Sequence, residues 1–299
     1  MTSRGRRLLA LSDPRGTGRV GVLGILNVTP DSFSDGGRHM EPAEAAARAE
    51  EMVAEGADAV DVGAESTRPG AAPVPEEEEL RRLLPALGMV RSRVDVPISV
   101  DTYKATVARA ALDAGADIIN DVSAGRDPAM FRVVAAADAP IVLMHMQGTP
   151  ATMQGDPVYP GEDVVGAVRG FLQDRIAAAL AAGVARDAIV IDPGIGFGKT
   201  PAHNLMLISR LDAIVALGHA VLIGPSRKRF IAAVVDGSPL ERLEGTAAAV
   251  ALAVDRGASL VRIHDVAPMV RVVRMAEALR RFRKAPAPGR SIEVSEDGV

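Results

Sequence analysis

The chain contains no cysteine among its 299 residues. This absence excludes a disulfide framework, a thiolate nucleophile and a cysteine-based zinc site, and it suits a reducing compartment. A surplus of positive charge is also missing, since the formal net charge is −4 and the isoelectric point is near 5.8. The protein therefore has no overall attraction to nucleic acid or to an anionic membrane, and any phosphate must be bound by individually placed Arg and Lys.

Long apolar runs are absent as well. The apolar run near the N-terminus covers only residues 8–11, which is too short for a signal peptide. No stretch approaches the roughly 18 apolar residues of a membrane span. We therefore expect a cytoplasmic protein without a membrane or nucleic acid partner.

Short runs of Val, Ile and Leu recur along the chain, each followed by an alanine-rich segment with helical patterning. Runs that are apolar at every position are typical of parallel strands buried on both faces. The predicted strands are residues 20–26, 59–63, 98–100, 118–119, 141–144, 188–191, 220–223 and 260–263. The predicted helices are residues 42–55, 76–92, 104–114, 128–137, 163–182, 202–217, 229–256 in two pieces around Gly237, and 268–283.

Eight βα units in a chain of this length favour an α/β fold with a single (β/α)8 TIM barrel over a doubly wound open sheet. The predicted catalytic domain covers residues 1–284, of which residues 1–18 form an N-terminal extension. Residues 285–299, rich in Pro, Gly, Ser and acidic side chains, are predicted to be a disordered tail.

Polar residues follow the predicted strands, where the active site of such a barrel forms. Taken singly, each has a simpler explanation, because an Asp or Asn after a strand is often a helix N-cap and an isolated Arg often makes a surface ion pair. Together they form two groups on one rim. One group could hold a flat heterocycle with an amidine-like edge, such as a pterin or guanine, and consists of Asp101, Asn120, Asp192 and Lys228.

The second group has the chemistry of an anion site. Arginine forks suit phosphate oxygens, and an Asn oxygen could bind a Mg²⁺ ion that bridges a diphosphate. Its members are Asn27, Arg68, Arg262 and His264. A heterocycle combined with a diphosphate implies displacement of pyrophosphate from carbon.

The glycine-rich segment at residues 191–200 excludes two nucleotide-binding motifs. A P-loop requires glycine where Pro193 stands, and proline has no N–H to offer a phosphate. The even spacing of Gly194, Gly196 and Gly198 does not fit the dinucleotide pattern. We therefore interpret Asp192 as the ligand-binding residue and Lys199 as a loop or helix-start residue.

Seven motifs in order resemble the dihydropteroate synthase family, the sulfonamide targets of folate biosynthesis. They are residues 27–37, 65–70, 99–102, 119–121, 192–199, 226–228 and 262–265. The resemblance implies a TIM barrel that joins 6-hydroxymethyl-7,8-dihydropterin diphosphate to p-aminobenzoate and releases pyrophosphate. It also implies a Mg²⁺ cofactor and a homodimer.

The resemblance implies a role for each matching position. Met144 and Phe197 join the four residues of the pterin group, and Asn27 is the metal ligand. The expected p-aminobenzoate site consists of Phe33, Thr67, Pro69, Ser226 and Arg227. The expected catalytic residues are Asp101, Asp192, Lys228, Arg262 and His264.

Two alternatives remain open. A pterin-dependent methyltransferase domain of a corrinoid system shares the strand-end Asp and Asn pattern. It binds no diphosphate, so Arg68, Arg262 and Lys228 would have less to do. A catalytically silent binding protein that kept the barrel would be expected to have lost one or more strand-end groups, and none is missing.

Overall fold

The computed structural model describes residues 3–11, 19–29, 41–153, 155 and 157–284. Within these residues the chain forms eight strands: β1 (Gly21–Asn27), β2 (Ala59–Gly63), β3 (Ile98–Asp101), β4 (Ile118–Asp121), β5 (Ile141–Met144), β6 (Ile189–Asp192), β7 (Ala220–Ile223) and β8 (Leu260–Ile263). Neighbouring strands are parallel and follow chain order, and β1 pairs with β8 to close the barrel. The predicted TIM barrel is confirmed.

Helices follow the strands and bury their apolar faces against the outside of the barrel. They are α2 (Pro42–Ala54), α3 (Glu76–Arg93), α4 (Ala105–Asp113), α5 (Met130–Ala136), α6 (Val164–Ala181), α7 (Pro201–Ser209), α8 (Asp212–Val215), α9 (Arg229–Val235), α10 (Leu243–Asp255) and α11 (Val266–Lys284). A further helix, α1 (Ser3–Leu11), precedes β1. The single helix predicted at residues 202–217 is wrong in one respect. Helix α7 ends at Ser209, because Arg210 leaves the helical conformation with φ −112° and ψ 28°, and α8 begins two residues later.

A repeated Gly-Ala pair ends three of the helices. After α2, the N–H of Gly56 donates to Val53 and the N–H of Ala57 donates to Met52, with Gly56 at φ +103°. This left-handed conformation costs glycine little and lets the chain turn from the helix into the next strand. The same bonds recur after α4 and α10.

The interior of the barrel is apolar toward the N-terminal ends of the strands. This apolar layer consists of Leu23, Ala59, Ile118, Val142, Val190, Ala220, Leu222 and Leu260. Leu8 of α1 joins the layer and is 1% exposed. The described part of the predicted extension is therefore a helix that packs on this end of the barrel, and Arg4 ties it to Asp95 by an ion pair of 2.7 Å.

The described helices include no segment that is long and apolar enough to cross a lipid bilayer. The tail predicted to be disordered, residues 285–299, lies outside the described residues.

Candidate active site

The strand register brings the predicted pterin residues together at the C-terminal end of the barrel. Asn27 lies beside Gly63, Gly63 beside Asp101, and Asp101 beside Asn120. Met144 lies beside Asp192 on the opposite side of the barrel. Because side chains alternate along a strand, residues two or four positions beyond the apolar layer also point into the barrel. We call Asn27, Asp101, Asn120, Asp192 and Arg262 the polar ring.

Arg262 connects two carboxylates inside this ring. Its Nε lies 2.5 Å from Oδ2 of Asp61, and its Nη2 lies 2.9 Å from Oδ2 of Asp101. The two proposed groups are therefore not separate, since a residue assigned to the anion group contacts a residue of the heterocycle group. Sequence reasoning assigns no role to Asp61, and its contact with Arg262 joins residues 201 positions apart.

Burial dominates the electrostatics of Asp101. Removal from water raises its pKa to about 7, while Arg262 opposes the shift and Asp61 adds to it. Oδ1 of Asp101 and Oδ1 of Asp61 are buried and accept no hydrogen bond from the described residues. Buried oxygens rarely remain unpaired in native proteins, so this pair marks a place where a ligand or water is bound.

Asp192 and Lys228 both form hydrogen bonds with the loop of residues 193–198, which we call the glycine clasp. Oδ1 of Asp192 accepts the N–H of Gly194 at 2.7 Å. The ammonium of Lys228 donates to the carbonyl of Ile195 and lies 4.4 Å from the ring centre of Phe197. Burial lowers the pKa of Lys228 to about 8, with Asp192 opposing the shift, and burial also raises the pKa of Asp192, with Lys228 opposing.

Gly196 makes this close approach possible. It has φ +84°, and a Cβ at this position would lie 2.9 Å from Cδ of Lys228. Any larger residue would force the lysine out from under the clasp. The three evenly spaced glycines each permit a different close approach: Gly194 to the carbonyl of His145, Gly196 to Lys228 and Gly198 to the backbone of Gln147.

An apolar wall lies beside the polar ring. Met144 and Phe197, both predicted to line the pterin pocket, pack with Val122, Met146, Met153 and Tyr103. Sequence reasoning missed the last four, because apolar residues in loops carry no pattern that separates a pocket wall from ordinary core. The wall supplies the flat apolar surface that an aromatic ring system needs.

Lys199 is more than a loop residue. It does precede Thr200, the N-cap of α7, but it is only 3% exposed. Its ammonium lies 2.8 Å from Nδ1 of His145 and 3.0 Å from the carbonyl of Phe197. Burial lowers the pKa of Lys199, with Asp192 opposing the shift. Lys199 therefore fixes the glycine clasp through its hydrogen bond to the carbonyl of Phe197.

His264 and Ser226 form a second polar pair at the ends of β8 and β7. Oγ of Ser226 accepts the backbone N–H of His264 at 3.1 Å and lies 3.0 Å from its Nδ1. The direction of the bond between Oγ of Ser226 and Nδ1 depends on the tautomer of the ring, because a hydroxyl can donate or accept. Burial lowers the pKa of His264 to about 3, and Arg262, Arg227 and Arg68 add to the shift. His264 is therefore neutral at pH 7.

Arg227 and the loop of residues 67–69 carry the remaining predicted residues that the structure describes. Arg227 forms a two-bond ion pair with Asp265, so its guanidinium is already partnered. Thr67 is half-buried, while Arg68 and Pro69 are exposed on the same loop. Phe33, together with the rest of residues 30–37, lies outside the described residues.

Comparison with known proteins identifies the family. The family of pterin binding enzymes matches residues 23–264. The dihydropteroate synthase of Synechocystis sp. is 45% identical over 265 residues, which cover 88% of this chain and 91% of that protein.

Two solved structures agree. The Yersinia pestis dihydropteroate synthase with a sulfonamide drug complex has a TM-score of 0.84 and 41% identity over 88% of this chain and 95% of that one. The Xanthomonas albilineans dihydropteroate synthase in complex with 7,8-dihydropteroate has a TM-score of 0.79 and 43% identity over 90% and 95%. The chain therefore belongs to the dihydropteroate synthases, within the family of pterin binding enzymes.

Proposed function

We propose that this chain joins 6-hydroxymethyl-7,8-dihydropterin diphosphate to p-aminobenzoate, forming 7,8-dihydropteroate and pyrophosphate. The observation that carries the proposal is the polar ring beside an apolar wall, with two buried carboxylates that accept no hydrogen bond on Oδ1 from the described residues. The Xanthomonas albilineans relative binds the same product. A corrinoid-linked methyltransferase is less well supported, because the relatives named above are synthases.

Asp192 and Asn120 are the proposed readers of the pterin edge. One oxygen of Asp192 is held by Gly194, so the carboxylate is fixed in orientation before ligand arrives. A fixed carboxylate accepts paired N–H donors without losing further side-chain entropy. Lys228 balances the charge of Asp192, while Met144 and Phe197 provide the apolar contact for the ring.

The diphosphate is proposed to lie toward Asn27, Arg68, Arg262 and His264. We propose that His264, which is neutral, takes the tautomer with its proton on Nε2 and donates a hydrogen bond to a phosphate oxygen without adding charge. Arg262 and Arg68 supply positive charge, which stabilises the diphosphate most strongly as it leaves. The remaining polar surface, including Thr67, Pro69, Ser226 and Arg227, is proposed to bind p-aminobenzoate, with Phe33 from outside the described residues.

A Mg²⁺ ion is part of the proposal. Among the described residues no cluster of three or more His, Asp or Glu side chains could hold a metal, whereas Asn27 provides one side-chain oxygen at the end of β1. Mg²⁺ commonly takes one or two protein ligands and completes its shell with phosphate oxygens and water. Asn27 therefore fits an ion that arrives with the diphosphate and withdraws charge from it.

A dissociative path suits these groups. The aryl amine of p-aminobenzoate is a free base at pH 7 and needs no strong general base, so departure of the diphosphate is the harder step. The C–O bond to the diphosphate breaks, the C–N bond forms, and the amine loses one proton. Positive charge left on the methylene carbon is spread over the dihydropterin ring and stabilised by ionised Asp101.

The test is incubation of the purified protein with the pterin diphosphate, p-aminobenzoate and Mg²⁺, followed by mass detection of 7,8-dihydropteroate. We expect product with the unaltered chain and a large loss with Asp192→Asn. A folded, unaltered chain that forms no product would contradict the proposal.

We also propose a cytoplasmic homodimer that pairs through α11. Met275, Leu279 and Phe282 recur at helical spacing on one face of α11 and are 57–60% exposed. Light scattering of the unaltered chain should give twice the mass of one chain, and Leu279→Glu should give a monomer. A monomeric unaltered chain would exclude the dimer.

A further inference from the structure

The loop between β2 and α3 carries Thr67, Arg68 and Pro69, and its two ends meet. Glu65 lies two residues after β2, and Val74 lies two residues before α3. The N–H of Val74 donates to Oε1 of Glu65 at 3.0 Å. The loop therefore leaves the barrel and returns to it at one point, which we call the loop base.

Lys104, at the start of α4, closes the loop base from the neighbouring βα unit. Its ammonium donates to Oε2 of Glu65 at 2.6 Å, to the carbonyl of Val74 at 2.5 Å and to Oε2 of Glu79 at 2.6 Å. An ammonium has three hydrogens, and these three bonds use all of them. Tyr103 adds a fourth link by donating to Oε1 of Glu65 at 2.7 Å.

This cluster is buried, unlike the ion pairs that Arg81 and Arg93 form on α3. The side chains of Lys104, Glu65 and Glu79 are 12%, 5% and 1% exposed. Burial raises the pKa of Glu79, and Lys104 opposes the shift. The ammonium of Lys104 thus compensates the charges of Glu65 and Glu79. Removing it would leave two buried carboxylates without a compensating cation, which lowers the stability of the folded protein.

The far side of the loop is also held. The N–H of Gly70 donates to the carbonyl of Pro150, in the loop after β5, at 2.9 Å. The base is fixed by Lys104 and the middle by Pro150, so the position of residues 66–69 depends on both. Among the described residues, the ammonium of Lys104 donates to Glu65, Val74 and Glu79, and none of these three belongs to the polar ring.

We infer that Lys104 is a positioning residue for the second substrate: by joining Glu65, Val74 and Glu79 it sets the place of Thr67, Arg68 and Pro69 above the site. The inference rests on the proposed p-aminobenzoate role of this loop. The inference predicts different effects on the two substrates. Loss of Lys104 should displace the loop that is proposed to bind p-aminobenzoate, while the polar ring, which is proposed to hold the pterin, keeps its structure.

The test compares Lys104→Met with the matched control Arg81→Met. Arg81 pairs with Glu78 on the exposed side of α3 and does not contact the loop base. For Lys104→Met we expect the KM for p-aminobenzoate to rise roughly ten-fold or more, because small displacements of positioning groups cost this much. The Kd of a pterin without phosphates should stay within about two-fold, since no positioning contact to it is lost, and Arg81→Met should change neither.

A second measurement keeps the inference testable without activity. In hydrogen exchange of the whole protein, Lys104→Met should speed exchange of the peptides that cover residues 66–74, and Arg81→Met should not. If the unaltered chain makes no dihydropteroate, the proposed function fails, but the exchange result still tells whether Lys104 fixes the loop.

A folded Lys104→Met variant with an unchanged KM for p-aminobenzoate, unchanged exchange, or an equal loss of pterin affinity would overturn the inference. If Lys104→Met does not fold, Glu79→Gln replaces it, because it weakens one of the three bonds and keeps the other two. A smaller rise in the same KM is then expected, and no rise would overturn the inference.

Discussion

The two ends of the barrel interior are lined by the same strands but differ in polarity. Toward the N-terminal ends, the interior is an apolar layer joined by Leu8 of α1. One pleat further along the same strands, the interior holds carboxylates, an amide and an arginine, some with buried oxygens that accept no hydrogen bond from the described residues. Along one strand, a residue of the apolar layer and a residue of the polar ring are only two positions apart, as are Val190 and Asp192 or Leu260 and Arg262. Residues that stabilise the barrel therefore lie close to residues that are proposed to bind ligand.

This separation means that single changes should affect one property and spare the other. A change in the polar ring should reduce ligand binding or rate in a protein that still folds. A change in the apolar layer should reduce stability in a protein that still catalyses. Arg262 should be the exception. Its replacement should lower stability as well as rate, because its positive charge compensates the buried carboxylates of Asp61 and Asp101.

Arg262→Ala is expected to have the largest effect. The catalytic efficiency kcat/KM should fall by roughly a thousand-fold, because one charged group that stabilises the leaving diphosphate is lost. Binding of a pterin without phosphates should fall less. Steady-state kinetics measure kcat/KM, and calorimetry measures the affinity for the pterin. Equal losses in these two quantities would contradict the diphosphate role of Arg262.

Arg262→Ala should also cost stability in a pH-dependent way. Burial already raises the pKa of Asp101 to about 7, against the attraction of Arg262. Without the arginine the pKa rises further above the unfolded value, so the ionised acid destabilises the folded chain. The part of the cost that comes from Asp101 should be absent below about pH 7, where the acid is protonated in both folded forms, and should grow as the pH rises above it. Denaturant unfolding at several pH values checks this, and a cost that shrinks with pH would contradict it.

Leu222→Ala is expected to lower the free energy of unfolding by about 3 kcal/mol, because it leaves a cavity in the apolar layer. Leu222 is fully buried there. The kcat and KM of the folded fraction should be unchanged. Denaturant unfolding and kinetics on the same sample test this, and a large change in kcat would show that the two ends are not separate.

The pH profile of kcat/KM should show a smaller effect. We expect a rise through about pH 7 as Asp101 ionises and a fall above about pH 8 as Lys228 loses its charge. Asp101→Asn should remove the acidic limb along with most of the activity. A flat profile between pH 6 and 9 would mean that neither group changes charge in the rate-determining form.

The sequence predicted the barrel well because its signals are local. The bounds of β2, β5, β7 and β8 agree with the predicted runs. The apolar run predicted for β4 stops at Ile119, but the register with β3 and β5 extends the strand through Asn120 and Asp121. Backbone pairing between strands overrides the local polarity of a residue, and a single sequence does not contain that pairing.

The positions of the candidate residues could be predicted from the sequence, but the contacts between them could not. Asp101, Asn120 and Asp192 lie where their motifs place them, yet nothing local indicates that Arg262 bridges Asp61 and Asp101. The acidic run at residues 76–79 gives a similar case. It has the pattern of a solvated helix start, but Glu79 turns inward to Lys104 while Glu76 and Glu77 are exposed. Such contacts depend on the three-dimensional packing of distant units.

The most direct test of the division between the two ends is a calorimetric titration of a pterin without phosphates into the unaltered chain, Asp192→Asn and Leu222→Ala, all under conditions where each is folded. Asp192→Asn removes one charge-assisted hydrogen-bonding partner and should weaken binding by about 1.5 to 3 kcal/mol. Leu222→Ala should bind as the unaltered chain does. Unchanged affinity in Asp192→Asn, or an equal loss in Leu222→Ala, would contradict the assignment of the polar ring as the pterin site.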